Sequence, residues 1–307
     1  MNKKLVHSVF EHVTVNYAHA IAVDEEQKST TYLQVNTHAN AIAWLLGKNT
    51  SQKESRIGLF FESSAEYVAA VIGSMKAGDV FVPFDLSIPK SRLEAMFTKC
   101  GPEIVLTSTV LFDEVHAFLR SMKETGTVKN LVEITAEGTG RVENYQPEFP
   151  LTIPEEYYTI NYPSTTSPDD AAYIYFTSGS TGIPKPILGC QKSISHFVHW
   201  ESAEFGFNET VRVSQLTPTT FDANLRDIFL PLINGGRVCI PSKQTKEQPL
   251  KLLNWLDEKQ VTVVHCVPSL FKVLTKEKEE HPQIKTLALQ YIMMAGEPLY
   301  GLDVNKW

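Results

Sequence analysis

The sequence has no excess of basic residues, few cysteines and no long apolar run. Its 307 residues include 28 Lys and Arg against 35 Asp and Glu, which gives a formal net charge of −7 with both signs interspersed. A general nucleic-acid binder usually presents a basic face, so this balance argues against that class. A local site for a small anion is still compatible with it.

The four cysteines, Cys100, Cys190, Cys239 and Cys266, form no CxxC pair. This spacing favours reduced thiols in a cytosolic protein. No run of 18 apolar residues is present, which predicts no membrane span, and the start MNKKLVHSVF lacks the apolar stretch of a secretion signal. The sequence therefore predicts a cytoplasmic protein. With 43% hydrophobic residues it is able to bury a substantial core without disulfides.

Helical and strand-like patterns alternate along the chain, which predicts an α/β architecture. TTYLQVNTHANAIAWLLG has helical spacing and is predicted to stop at Gly47, and SAEYVAAVIGSMKAG is predicted to run from Ser63 or Ser64 to Gly78. Further predicted helices are SRLEAMFTKCG, SISHFVHWESAEF, NLRDIFLPLING, QPLKLLNWLDEKQ and SLFKVLTKEKEEH. Predicted strands are RIGLFF, DVFVPFD, EIVLTS, AAYIYFT, RVSQLTP, RVCIPS, VTVVHCVPS and LALQYIMMAG. Repeated β-α-β order predicts mainly parallel sheets flanked by helices.

Residues 136 to 170 are rich in Pro, Ser, Thr and acids. This composition predicts a long surface connection with room for one short strand, joining possible halves 1–140 and 168–307. The last predicted strand leads into GEPLYGLDVNKW without a following helix. We therefore expect residues 1–307 to be an incomplete large subdomain.

Six Ser, Thr or Gly residues follow one buried strand, from Thr177 to Gly182, and Lys185 comes shortly after. Ligands bind where parallel strands end, and glycines let the backbone approach an anion closely. Hydroxyl groups, free N–H groups and a lysine charge then suit phosphate. The alternative is an ordinary surface turn. The glycine and lysine spacing fits neither the mononucleotide P-loop nor the dinucleotide GxGxxG pattern.

The segment YFTSGSTGIPK resembles the phosphate loop of acyl-adenylate-forming enzymes, and in particular the amino-acid adenylation domains of nonribosomal peptide synthetases. Other segments resemble that family in the same order: TTYLQVNTHANAIAWLL, MKAGDVFVPFDLSIPKSRL, FDANLRDIFLPLINGG, VTVVHCVPSLFKVL and MMAGEPL. The resemblance spans Val9 to Leu299. It implies the large N-terminal subdomain of an adenylate-forming ligase.

The resemblance implies that an amino-acid carboxylate attacks the α-phosphate of Mg·ATP, which gives an aminoacyl-adenylate and pyrophosphate. The aminoacyl group then passes to the phosphopantetheine thiol of a carrier-protein domain. Catalysis of this kind depends mainly on positioning and charge neutralisation. The residues that match the phosphate loop are Thr177, Ser178, Gly179, Ser180, Thr181, Gly182 and Lys185, with Lys185 as the catalytic candidate. Pro186 replaces the family's usual Gly and favours an extended Lys185.

The same resemblance implies that Asp222 pairs with the α-ammonium group of the substrate. Such a pair would select for amino acids, because a substrate without the amine would leave the carboxylate unpaired. The alternative for Asp222 is a helix cap. The resemblance assigns the side-chain pocket to Ala223, Arg226, His265, Met293 and Ala295. Arg226 and His265 form a polar, potentially cationic pair, which suggests an acidic or hydrogen-bonding substrate side chain. Their alternatives are a solvated helix face for Arg226 and a core position for His265.

Gly296 and Glu297 match the segment beside the adenine, which makes them nucleotide-binding candidates. The family's next motif, which carries a Glu near Mg²⁺, and its small C-terminal subdomain are expected beyond Trp307, so the isolated chain is expected to be inactive or weak. No metal ligand is assigned within it. Two rival functions remain open: an acyl- or aryl-CoA ligase, which Asp222 disfavours, and a non-catalytic nucleotide-binding module.

Overall fold

The computed structural model describes residues 5–122, 127–145, 157–177, 184–304 and 307. Its strands are β1 (Ile21–Glu25), β2 (Ser29–Thr31), β3 (Arg56–Phe60), β4 (Val80–Phe84), β5 (Ile104–Ser108), β6 (Asn130–Thr135), β7 (Gly138–Asn144), β8 (Ala171–Thr177), β9 (Lys185–Cys190), β10 (Arg212–Ser214), β11 (Arg237–Ile240), β12 (Val263–Cys266) and β13 (Tyr291–Met294). Its helices are α1 (Val6–Tyr17), α2 (Tyr32–Asn49), α3 (Ala65–Ala77), α4 (Lys90–Cys100), α5 (Phe112–Ser121), α6 (Gln191–Phe205), α7 (Asn224–Leu232), α8 (Lys243–Glu247), α9 (Pro249–Glu258), α10 (Pro268–Glu280) and α11 (Gly301–Val304).

The strands form two sheets. Sheet A has the order β13-β12-β10-β11-β1-β2, and sheet B has the order β7-β6-β5-β3-β4-β8-β9. The described pairs are parallel except at three edges, where β2, β7 and β9 run antiparallel to their neighbours. The expected fold of mainly parallel sheets flanked by helices is confirmed.

Three apolar clusters place the helices in layers. The largest cluster joins α2 and α3 to residues of both sheets, such as Phe81 of sheet B and Val213 of sheet A. Residues of α4 and α5 cover the other face of sheet B, and residues of α9 and α10 cover the other face of sheet A. The two sheets therefore share a central helical layer, and each has a second helical layer outside.

Both helices of the central layer begin at a capped residue, but only α3 ends where the sequence predicts. The Ser64 hydroxyl accepts a hydrogen bond from the Tyr67 N–H, and Gly78 ends α3 with φ of 80°, as expected. The expected stop of α2 at Gly47 is wrong, because the helix continues to Asn49. Gly47 instead makes room for Tyr162, whose ring would clash with a Cβ at that position.

The connection between the two expected halves contains β7, a seven-residue strand paired with β6. Its described later part packs against α2, where the side-chain oxygen of Asn161 accepts from the amides of Asn36 (2.9 Å) and Asn40 (3.1 Å). Each sheet takes strands from both sides of this connection: β1 and β2 complete sheet A, and β8 and β9 complete sheet B. The boundary along the sequence therefore does not coincide with the boundary between the sheets.

All four cysteines are free thiols, in agreement with the prediction. Within the described ranges, no helix combines the length and apolar character needed to cross a membrane.

A buried carboxyl group lies where α3 turns into β4. Asp79 is 1% exposed, and its Oδ2 atom has no hydrogen-bond partner among the described residues. Burial raises the pKa of Asp79 from 3.8 to about 7, and the charge of Glu103 adds to this effect. The folded protein therefore holds a proton at Asp79 in a pH range where the unfolded chain has released it.

We expect Asp79→Asn to become stabilising relative to the wild type as pH rises. The folded-state pKa is raised, so the contribution of Asp79 to stability is complete below about pH 3.8 and is lost as pH rises to about 7. Each pH unit between the two pKa values corresponds to about 1.4 kcal/mol. Urea unfolding of both proteins between pH 4 and pH 8 measures the difference. Asp169→Asn, at an exposed carboxylate, should show no such trend. The same pH dependence of unfolding free energy in the wild type and in Asp79→Asn would refute a raised pKa at Asp79.

Candidate functional site

The candidate pocket lies against the face of sheet A that carries the central helical layer. His265 on β12 pairs in parallel register with Met293 on β13. Because side chains alternate along a strand, His265 points to the same face as Val263, a member of the central cluster. His265 is 2% exposed and Met293 is half-buried. Two of the predicted pocket residues are therefore direct neighbours.

Two carboxylates that the sequence analysis did not assign join the predicted bases. Nη1 of Arg226 lies 3.6 Å from Oε1 of Glu201, a residue of α6. The same Oε1 atom lies 3.7 Å from Nε2 of His265. Nδ1 of His265 is 2.6 Å from Oδ1 of Asp227, on α7. The expected cationic pair is thus part of a four-residue cluster with two acids.

Burial raises the pKa of the Glu201 carboxyl, and the nearby charge of Asp227 acts in the same direction, while His265 and Arg226 oppose it. Burial also raises the pKa of the Cys266 thiol to about 12, again with a contribution from Asp227. The cluster therefore lies in a region where an isolated charge is costly and paired charges are required.

A signal for Glu201 is present in the sequence. Ile194, Val198 and Glu201 are spaced four and three residues apart, and all three are buried on α6. A helix with this spacing turns one stripe to the core, so an acid in that stripe must find a partner. The sequence signal for Asp227 is weaker: the residue follows Arg226 in a helix that is otherwise strongly apolar.

Asp222 lies two residues before α7, and its side chain does not cap that helix. The N-cap position is Ala223, without a side-chain cap hydrogen bond, and only the backbone oxygen of Asp222 accepts from Leu225 N–H. Asp222 and Ala223 are both exposed. Burial raises the pKa of Tyr173 on β8 to about 12, and the charge of Asp222 contributes to this shift. The carboxylate therefore lies within electrostatic reach of the strand that precedes the Ser, Thr and Gly run.

A hydrogen bond fixes the segment before Asp222 to the central helices. The hydroxyl of Tyr67, on α3, donates to the backbone oxygen of Thr219 at 3.2 Å. Tyr67 is completely buried, so the segment is tied to the core that both sheets share.

Thr177 and Lys185 lie opposite each other as the last residue of β8 and the first of β9. Ser178, Gly179, Ser180, Thr181 and Gly182, which complete the predicted phosphate loop, lie outside the described residues. Pro186 is paired with Phe176 on the edge strand, where the missing N–H of proline is tolerated. Lys185 has the extended conformation that Pro186 favours, and its side chain is exposed.

The segment after β13 carries the remaining candidates. Ala295, Gly296 and Glu297 are exposed, and Gly296 has a φ of 92°. Both carboxylate oxygens of Glu297 accept hydrogen bonds from Ser269 in the first turn of α10, from its N–H (2.8 Å) and its hydroxyl (2.9 Å). Glu297 therefore has a structural partner, and its contact with a nucleotide stays a prediction.

The geometry can be compared with known proteins. A family model described as AMP-binding enzyme matches residues 10–305. Tyrocidine synthase 1 of Brevibacillus parabrevis is 27% identical over 304 residues, which cover 99% of this chain and 25% of that protein. Zwittermicin A synthase ZmaJ of Bacillus cereus is 27% identical over 305 residues, covering 98% of this chain and 53% of that protein. The chain thus spans a quarter to a half of these relatives.

Solved structures show the same fold. The nonribosomal peptide synthetase FmoA3 (S1046A) superposes with a TM-score of 0.83 at 24% identity, over 99% of this chain and 30% of that one. VinN superposes with a TM-score of 0.80 at 19% identity, over 99% of this chain and 71% of that one. At these identities the likeness concerns the fold.

We expect Asp227→Asn to lower the free energy of unfolding by about 3 kcal/mol. The substitution removes the charge that faces His265 at 2.6 Å in a buried position, and breaking such a pair costs about 3–5 kcal/mol, of which the isosteric amide recovers part. Urea denaturation at pH 7 measures the loss. Asp257→Asn on the half-buried face of α9 is the control, and an equal, small effect of both substitutions would show that the pair does not stabilise the fold.

Proposed function

The chain belongs to the AMP-binding enzyme family, and from this premise we propose that its protein activates an amino acid with ATP as an aminoacyl-adenylate for nonribosomal peptide synthesis. The observation that carries the amino-acid class is Asp222. Its carboxylate is exposed beside the pocket residues Ala223 and Arg226 and does not cap the helix it precedes. A carboxylate in this place suits the α-ammonium group of an amino acid.

In the proposed reaction an oxygen of the substrate carboxylate attacks the α-phosphorus of ATP. The new bond joins the carboxylate oxygen to phosphorus, the bond from the α-phosphorus to the bridging oxygen breaks, and pyrophosphate leaves with that oxygen. Asp222 holds the ammonium group and thereby positions the carboxylate. Thr177, Lys185 and the residues between them bind the phosphates, and the charge of Lys185 offsets the negative charge that develops there.

Mg²⁺ enters this proposal as the partner of the ATP phosphates. Across the ranges that the structure describes, no group of three or more His, Cys, Asp and Glu side chains is placed to hold a metal ion. The roles above concern only the side chains of this chain.

The wider setting is part of the same proposal. The relatives extend well beyond the matched region, which supports a C-terminal subdomain and a carrier-protein domain as partners. The aminoacyl group would pass from the adenylate to a phosphopantetheine thiol of that carrier. Four free thiols support a reducing, cytoplasmic setting.

The test is amino-acid-dependent exchange between ATP and labelled pyrophosphate, with pooled amino acids, in the full-length natural protein that carries this chain. Exchange with one pool is the expected result. Exchange with amine-free carboxylates only would replace the proposal with an acyl- or aryl-CoA ligase. ATP binding without exchange for any carboxylate would identify a nucleotide-binding module instead.

In that protein we expect Asp222→Asn to lower kcat/KM for the amino acid by about 100-fold, because a desolvated ion pair to the ammonium group is lost. Equilibrium binding of ATP should stay unchanged. Asp113→Asn, at a carboxylate that is also exposed, is the control and should behave as the wild type. A loss of less than threefold in Asp222→Asn would exclude amine recognition by this residue.

A further inference from the structure

The four-residue cluster of Glu201, Arg226, Asp227 and His265 carries information about the substrate side chain. Helices α6 and α7 contribute its two acids and its arginine, and β12 contributes its histidine. Arg226 and His265 are the two bases among the predicted pocket residues, and each lies within 4 Å of a carboxylate. The charge of the whole cluster, and not that of the two bases alone, therefore acts on a substrate.

The net charge follows from counting protons. The net charge of the cluster is zero when both carboxylates are ionised and His265 is charged. It is also zero when His265 is neutral and Glu201 is protonated. With a neutral His265 and an ionised Glu201 the sum is −1. With Asp227 ionised, a positive sum requires both a protonated Glu201 and a charged His265, which are adjacent groups that compete for protons. A cluster in which Glu201 and His265 share one proton, or hold none, offers no excess positive charge to a substrate carboxylate.

One neighbouring base also interacts with Asp227. Burial lowers the pKa of Lys246 on α8, and the charges of Asp227 and Glu62 oppose this shift. Its amine donates to the hydroxyl of Ser63 at 3.4 Å. Lys246 thus has Glu62 as a second carboxylate within reach, so that the pair adds no net charge.

The cluster does keep unused hydrogen-bonding capacity. Oε2 of Glu201, Nε of Arg226 and Nε2 of His265 are buried, and within the described part of the chain none has a hydrogen-bond partner. The distances of 3.6 and 3.7 Å from Oε1 of Glu201 to the two bases are longer than a good hydrogen bond. Donors and an acceptor therefore remain available to a polar ligand group once it excludes water.

We propose that Glu201 is a specificity-determining residue that acts through Arg226 and His265, and that the pocket selects an amino acid with an uncharged, hydrogen-bonding side chain over Asp and Glu. The inference rests on the proposed function. Glu201 is a positioning residue here: together with Asp227 it offsets the charge of the two bases, and it orients them. An acidic side chain would add a buried negative charge, and both bases that the structure describes in this cluster already face carboxylates.

The test is the same pyrophosphate exchange in the full-length protein, with single amino acids instead of pools. Asn, Gln, Ser and Thr are compared with Asp and Glu, and the readout is the ratio of kcat/KM between the best uncharged and the best acidic substrate. We expect a ratio of at least about 30 for the wild type. In Glu201→Gln the two bases lose one of their two counter-charges, and this ratio should fall at least about tenfold, since like-charge and unpaired-charge effects amount to several kcal/mol.

Two controls separate charge from folding. Glu204→Gln lies one turn further along α6, at an exposed position, and should leave the ratio unchanged. Glu201→Asp keeps the charge and should keep the preference for uncharged side chains even if overall activity falls. If Glu201→Gln does not fold, as judged by its thermal unfolding, Arg226→Gln gives the opposite test: its pocket is more negative, and the ratio should rise.

The outcomes distinguish the two proposals. A wild type that prefers Asp, Glu or an apolar amino acid overturns the inference about Glu201 and leaves amino-acid activation intact. So does a ratio that is the same in the wild type and in folded, active Glu201→Gln. A wild type without exchange for any amino acid overturns the proposed function, and this inference with it.

Discussion

The close packing of α2 against α3 is the contact on which the architecture depends. At Gly73 of α3, an added Cβ would lie 2.8 Å from Cβ of Ile42 and 2.9 Å from the backbone oxygen of Ala39, both on α2. This approach lets two helices fill a single layer between the two sheets, with apolar side chains from both sheets in one cluster. The sheets are held at a fixed distance because they share this layer.

The position of the candidate site follows from the shared layer. Tyr67 extends from α3 to the backbone of Thr219 and ties the start of α7 to the core. Asp222, just before α7, lies within electrostatic reach of Tyr173 on β8. On α7 itself, Asp227 pairs with His265 of β12, and Arg226 pairs with Glu201 of α6. The charged groups of the cluster are paired with one another, while three of its buried polar atoms have no hydrogen-bond partner among the described residues.

The elements that could be predicted from the sequence have strong local signals. Helix α3 has Ser64 and Gly78 at its ends, and the strands β3, β4 and β5 are short apolar runs between helices. The patterns do not identify β1 and β2, which have only five and three residues. Strand β1 pairs with β2 on one side and, on the other, with β11, which is distant in sequence. Nor do the patterns identify β9, which begins with a Lys-Pro pair and exists because it lies beside β8. The stability of these strands comes from pairing partners distant in sequence, which local patterns do not contain.

The sequence by itself determined the family, the mainly parallel α/β fold and the set of candidate residues, because each depends on residue types in a fixed order along the chain. Only the tertiary structure decided the charge of the candidate pocket. Glu201 and His265 are separated by 63 other residues in the sequence, yet they lie 3.7 Å apart, and Asp227 meets the same histidine from another helix. A local pattern records a residue's type and its neighbours in the chain. The electrostatic field at a buried site is the sum of contributions from charges that are close in space, and their positions depend on how the helices pack on the sheet.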